Sequence, residues 1–389
     1  MNYNFDEIID RKGTNSTSFE GWKQYMFGLP KDAVFPFKDE EYIRMWVADM
    51  DLATPPAVLD AMRARLDRKI LGYTGIFDEE YNKVLTGWFK KRYNWDINLE
   101  HMIISPGIIP ALFRLAGLLT NEGENVLILT PSYTPFKAAG EAHGRRVYYS
   151  RLIDFEDMER QLDDPERNIK LFIFCNPHNP TGRVWTKEEL YRIGRMCLDR
   201  GVKIISDEIH CDLLRIGQEH IPLASLFPDS DQIMTCTAPS KTFNLAGNLM
   251  SHIFIPDKAI RERWQRLHVD LLSPLSVAAV QAAYGACEDW LDQLRVYLDG
   301  NFAYLDEQLK KHLPLAKFTI PGATYLAWVD ISAYIQEENV PLYFAQKAGV
   351  LLESGSMFVD NGDGYVRLNV ACPRAVLEEG LRRIIHVLK

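Results

Sequence analysis

Between Met102 and Ile255 the chain predicts an α/β fold with a mostly parallel sheet, helices on both faces, and a smaller α+β domain appended. Short apolar runs alternate there with segments of helical spacing. One of the runs, Leu171-Phe172-Ile173-Phe174-Cys175, is uninterrupted, the pattern of a strand buried on both faces. Beyond Pro314 the texture changes to the alternation of an antiparallel sheet, as in Thr324–Val329 and Val366–Val370. A length of 389 residues fits two domains. The expected division is an N-terminal arm at 1–45 belonging to the small domain, a large α/β domain at 46–285, and the remainder of the small domain at 286–389.

The arm reads as irregular and aromatic-rich, with Trp22, Tyr25, Phe27, Phe35 and Phe37. Met45-Trp46-Val47-Ala48 reads as a short strand ended by Asp49-Met50-Asp51. Pro55-Pro56 opens a helix, where a missing N–H costs nothing, and Val58, Leu59, Met62 and Leu66 keep its spacing. Leu71-Gly72-Tyr73-Thr74-Gly75 is a loop, and Tyr81 to Trp95 is a helix. Strands are expected at 102–104, 126–129, 147–149, 171–175, 202–205, 233–236 and 252–255. Helices are expected after Pro106-Gly107, over Tyr133 to His143, and from Thr186 to Arg200. The last of these starts at a capping box, Thr186 with Glu189. Helical patterns follow at 260–268, 276–313 and 375–388.

Composition narrows the function. The formal net charge of −9 argues against a nucleic-acid or anionic-membrane surface as the main partner. No run of apolar residues is long enough to span a membrane, and Met1–Glu7 lacks the pattern of a signal peptide. The six cysteines are scattered without C-x-x-C pairs, which fits a reduced, cytoplasmic setting. The histidines have no metal-ligand spacing, so no metal is expected.

Three loops that leave predicted strands carry the chemistry. They are Asn176-Pro177-His178-Asn179-Pro180-Thr181-Gly182, Ser206-Asp207-Glu208-Ile209-His210, and Thr237-Ala238-Pro239-Ser240-Lys241-Thr242. A fourth, Thr130-Pro131-Ser132-Tyr133, follows another strand. Ligands of open parallel sheets bind outside the carboxyl ends of the strands, so Asn179, Asp207, Lys241 and Tyr133 would converge on one rim. These residue types meet the needs of pyridoxal phosphate. Lys241 suits an imine, Asp207 the pyridine nitrogen, Asn179 the phenolic oxygen and Tyr133 the ring face. The N–H groups of Gly107, Ile108 and Ile109 at a helix start suit the phosphate, with hydroxyls of Ser240 and Thr237 near in sequence. Arg367, alone in an apolar strand, suits a substrate carboxylate, beside Ala48 and Asn179. Each also has a plain reading: Asp207 as a turn cap, Tyr133 as core, Arg367 in a structural ion pair, Tyr73 as loop filler. His210 reads as a partner of Asp207 or a group behind it.

These loops, with Trp46-Val47-Ala48-Asp49-Met50-Asp51, Leu71–Gly75 and Arg367-Leu368-Asn369, resemble the fold-type I pyridoxal-phosphate enzymes. Within that superfamily they are similar to the cystathionine β-lyase-like cysteine C–S lyases, the cystalysin-like group. The resemblance runs over nearly the whole chain. It implies β-elimination on cystathionine or L-cysteine S-conjugates, releasing a thiol, pyruvate and ammonia. It also implies a homodimer in which Tyr73 reaches the phosphate of the neighbouring subunit's cofactor, making Tyr73 a catalytic-site residue beside Lys241. Thr134 departs from the group's second tyrosine, and Lys23 from its usual acid. An aminotransferase shares the same residue requirements up to loss of the α-proton, and residue types alone do not separate the two. A binding or regulatory module on the same body is the third reading. Asp207-Glu208-Ile209-His210 and Ser240-Lys241-Thr242 also spell fragments of a nucleotide-driven motor, but Thr235 and Ser240 stand where that loop requires glycines.

Overall fold

The apolar run Leu171–Cys175 is buried because helices cover both faces of the sheet it crosses. Leu171, Ile173 and Cys175 pack with Leu112, Leu115 and Trp264 on one side. Phe172 and Phe174 pack with Leu190, Ile193 and Met158 on the other. The computed structural model describes residues 2–269 and 271–389. Its strands, in chain order, are β1 (Ile43–Arg44), β2 (Met102–Ser105), β3 (Asn125–Thr130), β4 (Val147–Arg151), β5 (Ile169–Cys175) and β6 (Lys203–Asp207). There follow β7 (Ile233–Thr237), β8 (Ser251–Phe254), β9 (Leu326–Asp330), β10 (Val350–Leu351), β11 (Glu353–Ser354) and β12 (Tyr365–Asn369).

The main sheet has the order β2-β8-β7-β6-β5-β3-β4. Pairing is parallel from β7 to β4, and β8 runs antiparallel to both of its neighbours. A second sheet, β11-β12-β9, is antiparallel. It packs with Phe302, Leu305, Leu377 and Leu381 into a separate apolar cluster. The helix Glu288–His312 joins the two regions: Trp290 to Leu298 pack on the large-sheet side, and Phe302 to Leu309 on the other. No helix among the described residues is long and apolar enough to cross a membrane.

Several elements differ from expectation. Residues 45–48 are not a strand; β1 lies just before them and pairs in parallel with β10. Met45 still donates to Leu351 O at 2.8 Å. The carbonyls of Val47 and Asp49 then bond the Asn369 side chain, both at 2.8 Å, in place of a ladder. The helical pattern at 276–313 is two helices, Pro274–Ala286 and Glu288–His312, with Cys287 between them. Glu288 and Asp289 supply the acidic first turn that favours a new start. Helices Phe155–Asp163 and Val340–Lys347 were not anticipated; side chains of Asp154 and Asn339 cap them. The Thr186–Glu189 capping box forms as read.

Candidate active site

Three adjacent strand ends, β5, β6 and β7, bring the principal side chains together. Register sets Cys175 beside Asp207 and Asp207 beside Cys236, so the loops that follow leave the sheet side by side. The first loop folds back on itself: Gly182 donates to His178 O at 2.7 Å and His178 to Arg183 O at 2.9 Å. Gly182 has φ +65°, and a Cβ there would fall 2.6 Å from the Ala323 carbonyl oxygen, so only glycine closes the turn. Asn179 is thereby held buried, its Oδ1 accepting from Arg367 Nη1 at 2.9 Å.

Asp207 is buried at the last position of β6, and its Oδ1 accepts from the Ile209 N–H at 3.1 Å. Burial pushes its carboxyl up to about 7; that single backbone bond and Lys241 oppose the rise, while Glu208 adds to it. An acid in such a place fits a cationic N–H group brought by a ligand. Glu208, next in sequence, faces away and is satisfied internally by Ser206, His220 and the Leu223 N–H.

Lys241 donates to the Ala48 carbonyl oxygen at 2.6 Å. Burial lowers its amine below the ordinary lysine range, and the Asp49 carboxylate is the largest effect opposing this. The lysine's loop is anchored from behind by Thr242, whose Oγ1 donates to Asp212 Oδ2 at 2.8 Å. Asn244, at φ +57°, bonds the carbonyls of Met50 and Leu52 at 3.0 and 2.8 Å. Segment 46–52 is thus clamped between Asn244 and Asn369, and the clamp is what sets Ala48 against the amine. Lys241, Ala48, Asp49, Arg11 and Tyr25 line one cavity of about 740 Å³.

Arg367 is buried on β12 and ion-paired to Glu353 of β11. The plain reading as a structural pair and the reading as a ligand contact therefore coexist, because its Nε is buried with no hydrogen-bond partner. Tyr133 precedes the helix Thr134–Glu141 at its N-cap position, without a side-chain capping bond. Burial raises its phenol to about 12, with Tyr25 next, and it also feels Arg367, Glu353 and Asp207. His210 makes no hydrogen bond to Asp207 among the described residues. Its Nδ1 is buried without a partner, and burial, then the charge of Lys241, holds its ring neutral, down to about 3. Gly107, Ile108 and Ile109 stand at the start of the helix Ile108–Leu119, whose first N–H groups have no intrahelical acceptor. Ser240 is half-buried, and the Thr237 hydroxyl leans on His252 O at 3.5 Å. Tyr73 does not join its own chain's site; it is 97% exposed.

Asp49 and Glu353 belong to this constellation and were not singled out from sequence. Each was visible as an acid ending a run of mostly apolar residues, Met45–Ala48 and Val350–Leu352. The donor set fits pyridoxal phosphate: an amine for its aldehyde carbon, a buried acid for its ring nitrogen, unpaired N–H groups for its phosphate, and an aromatic neighbour for its ring.

Comparison with known proteins shows which family the chain resembles. Residues 40–384 match the aminotransferase class I and II family. The chain is 39% identical to cystathionine β-lyase PatB of Bacillus subtilis over 98% of both chains. Its structure is similar to the PLP-bound C–S lyase of Staphylococcus hominis in complex with L-cycloserine, with TM-score 0.95 and 47% identity over 100% of this chain and 99% of that one. It is also similar to the pyridoxal-phosphate-containing cystalysin of Treponema denticola, with TM-score 0.91 and 33% identity over 100% and 99%.

Proposed function

This chain belongs to the aminotransferase class I and II family, and from that premise we propose that it is a pyridoxal-phosphate-dependent carbon–sulfur lyase. Its substrates would be cystathionine or L-cysteine S-conjugates. The bond from the β-carbon to sulfur breaks with its electron pair leaving on sulfur, and the remaining fragment is released by water as pyruvate and ammonia. The observation that carries this reading is the adjacency of a desolvated amine, Lys241, and a buried acid, Asp207, at neighbouring strand ends. The likeness to C–S lyases over the full chain supports the choice of elimination.

Bound in this site, pyridoxal phosphate supplies an electron sink for the substrate's α-carbon. Lys241 is its proposed attachment and, when free, the base that takes the α-proton; a lowered amine is more often neutral near pH 7 and so able to accept one. Asp207 would hold a proton at the ring nitrogen. Asn179, whose oxygen is engaged by Arg367, has its amide N–H groups left to donate to the phenolic oxygen. Tyr133 would lie on the ring, while Gly107, Ile108, Ile109 and Ser240 would receive the phosphate. Arg367 would orient the substrate's α-carboxylate, with Ala48 beside it.

We further read the enzyme as a homodimer with shared sites. Ile70, Tyr73, Phe77 and Leu271 are exposed apolar residues on two segments joined by the Thr74–Leu272 bridge, a patch suited to burial against a second copy. Tyr73 would then serve the partner's site. The arm and residues 286–389 are read as the smaller domain.

The test is direct. Purified protein should be yellow, borohydride should fix the label on Lys241, and cystathionine should yield thiol and pyruvate in equal amounts. Stoichiometric keto acid from an amino donor, without thiol release, would make it an aminotransferase. Unaltered thiol and pyruvate release by Lys241→Ala would refute the assignment of the amine.

A further inference from the structure

Arg367 already faces an anion of its own chain. Glu353 stands directly opposite it in the β11–β12 register, the two are ion-paired, and they are only 3% and 7% exposed. The glutamate is held there by backbone: a Cβ on the nearby Gly355 would lie 1.7 Å from the Gly362 carbonyl oxygen, so two glycines are needed for the chain to turn there. The guanidinium also donates to Asn179 and lies 4.9 Å from the centre of the Phe358 ring. With five N–H groups it retains donors for another carboxylate, and its Nε has no partner. What it lacks is charge. One buried cation facing two carboxylates leaves an uncompensated anion away from water, an arrangement that folded proteins relieve by protonation.

We infer that Glu353 is a built-in counter-ion that takes a proton from solvent when a substrate's α-carboxylate docks on Arg367, so that it sets the site's affinity for carboxylates and the pH dependence of that affinity. The inference rests on the proposed reading of Arg367. The charged and titratable groups that act on Glu353 are Arg367 from β12 and Lys241 from the loop after β7; Tyr133, from the loop after β3, feels Glu353 in turn. Burial raises the Glu353 carboxyl, and Arg367, then Lys241, oppose the rise. A second carboxylate on Arg367 weakens the larger opposing effect and leaves burial to dominate. The only bond formed is O–H on Glu353, and no residue is oxidised or reduced.

The experiment uses holoenzyme and propionate, a carboxylate with no amine to react with the cofactor, followed by calorimetry between pH 6 and 8.5. Glu353→Gln keeps the shape and a hydrogen bond to Arg367 while removing the charge. It is expected to bind propionate on the order of tenfold more tightly at pH 8, with the difference closing as the pH falls. Equal or weaker binding by the variant at every pH overturns the inference. The wild type gives a second measurement that needs no variant. In two buffers of different ionisation enthalpy, propionate should bind with uptake of close to one proton per site at pH 8, and zero uptake overturns the inference. Arg367→Lys separates the two layers. If it weakens propionate binding while Glu353→Gln has no effect, the carboxylate reading survives and the counter-ion fails; if it leaves binding intact, both fall.

Discussion

Asp207 is a side chain whose environment works against the charge its proposed role requires. Its carboxyl, raised by burial from 3.8 to about 7, keeps a proton in the folded chain that the unfolded chain has already lost. Between those two values the folded state therefore binds more protons, so stability is present at low pH and is lost as pH rises toward 7. The interval corresponds to about 4 kcal/mol as an upper order of magnitude. The cofactor-free protein should accordingly show a denaturation midpoint that falls from pH 5 to pH 7.5 and then levels. Asp207→Asn should flatten that slope, and a slope unchanged in the variant would show that the effect lies elsewhere. In holoenzyme a protonated ring nitrogen would compensate the carboxylate and shrink the slope. Because that proton would stabilise charge as the α-proton leaves, Asp207→Asn should also lower kcat/KM by about a hundredfold or more.

At the scale of elements, the proposed function would depend on a segment that is neither strand nor helix. Segment 46–52 hangs from two asparagines, Asn244 and Asn369, and its Ala48 carbonyl meets the amine of Lys241. Asn369→Ala would leave two partly buried carbonyls without that donor, costing about 2 kcal/mol, and would release the segment from the lysine. Thr186→Ala, which removes a distant helix cap, should cost about 1 kcal/mol and leave kcat unchanged. Urea titration with steady-state kinetics on both variants distinguishes the cases: equal kcat in the two would mean the segment's placement does not matter. The same segment marks where sequence reading stops. Strands β3, β5, β6 and β7 were legible because burial on both faces favours short, mostly apolar runs. Met45–Ala48 shows an equally apolar run, but its carbonyls are taken by residues roughly 190 to 320 positions away: Met45 O by the Asn369 N–H, Val47 O by the Asn369 side chain and Ala48 O by Lys241. The helix Phe155–Asp163 went unread because Phe155, Met158 and Leu162 are its only apolar residues among charges. Lys241, Asp207 and Asn179 could be picked out as polar residues at strand exits, whereas the Glu353–Arg367 pair depends on a register that no periodicity encodes.

At the scale of the whole molecule, a single chain leaves its proposed site without Tyr73, whose side chain is 97% exposed, beside Phe77 at 94%. A dimer with exchanged tyrosines accounts for both exposures and predicts complementation between two inactive proteins. Lys241→Ala lacks the amine in every site, and Tyr73→Ala is expected to lose cofactor affinity and most activity in every site. Co-refolded in equal amounts, half of the dimers are mixed, and each mixed dimer holds one site with its own Lys241 and the partner's intact Tyr73. Its other site carries both defects. Activity should therefore return to about a quarter of the wild-type level, with cofactor bound in proportion. If Tyr73 served its own chain, every site in the mixed dimer would carry a defect and mixing would restore nothing. Phe77→Asp provides the control for assembly: a charge within the apolar patch should shift the sedimentation of the protein toward monomer and lower activity in parallel, because in the proposed dimer neither site would be complete without the second copy.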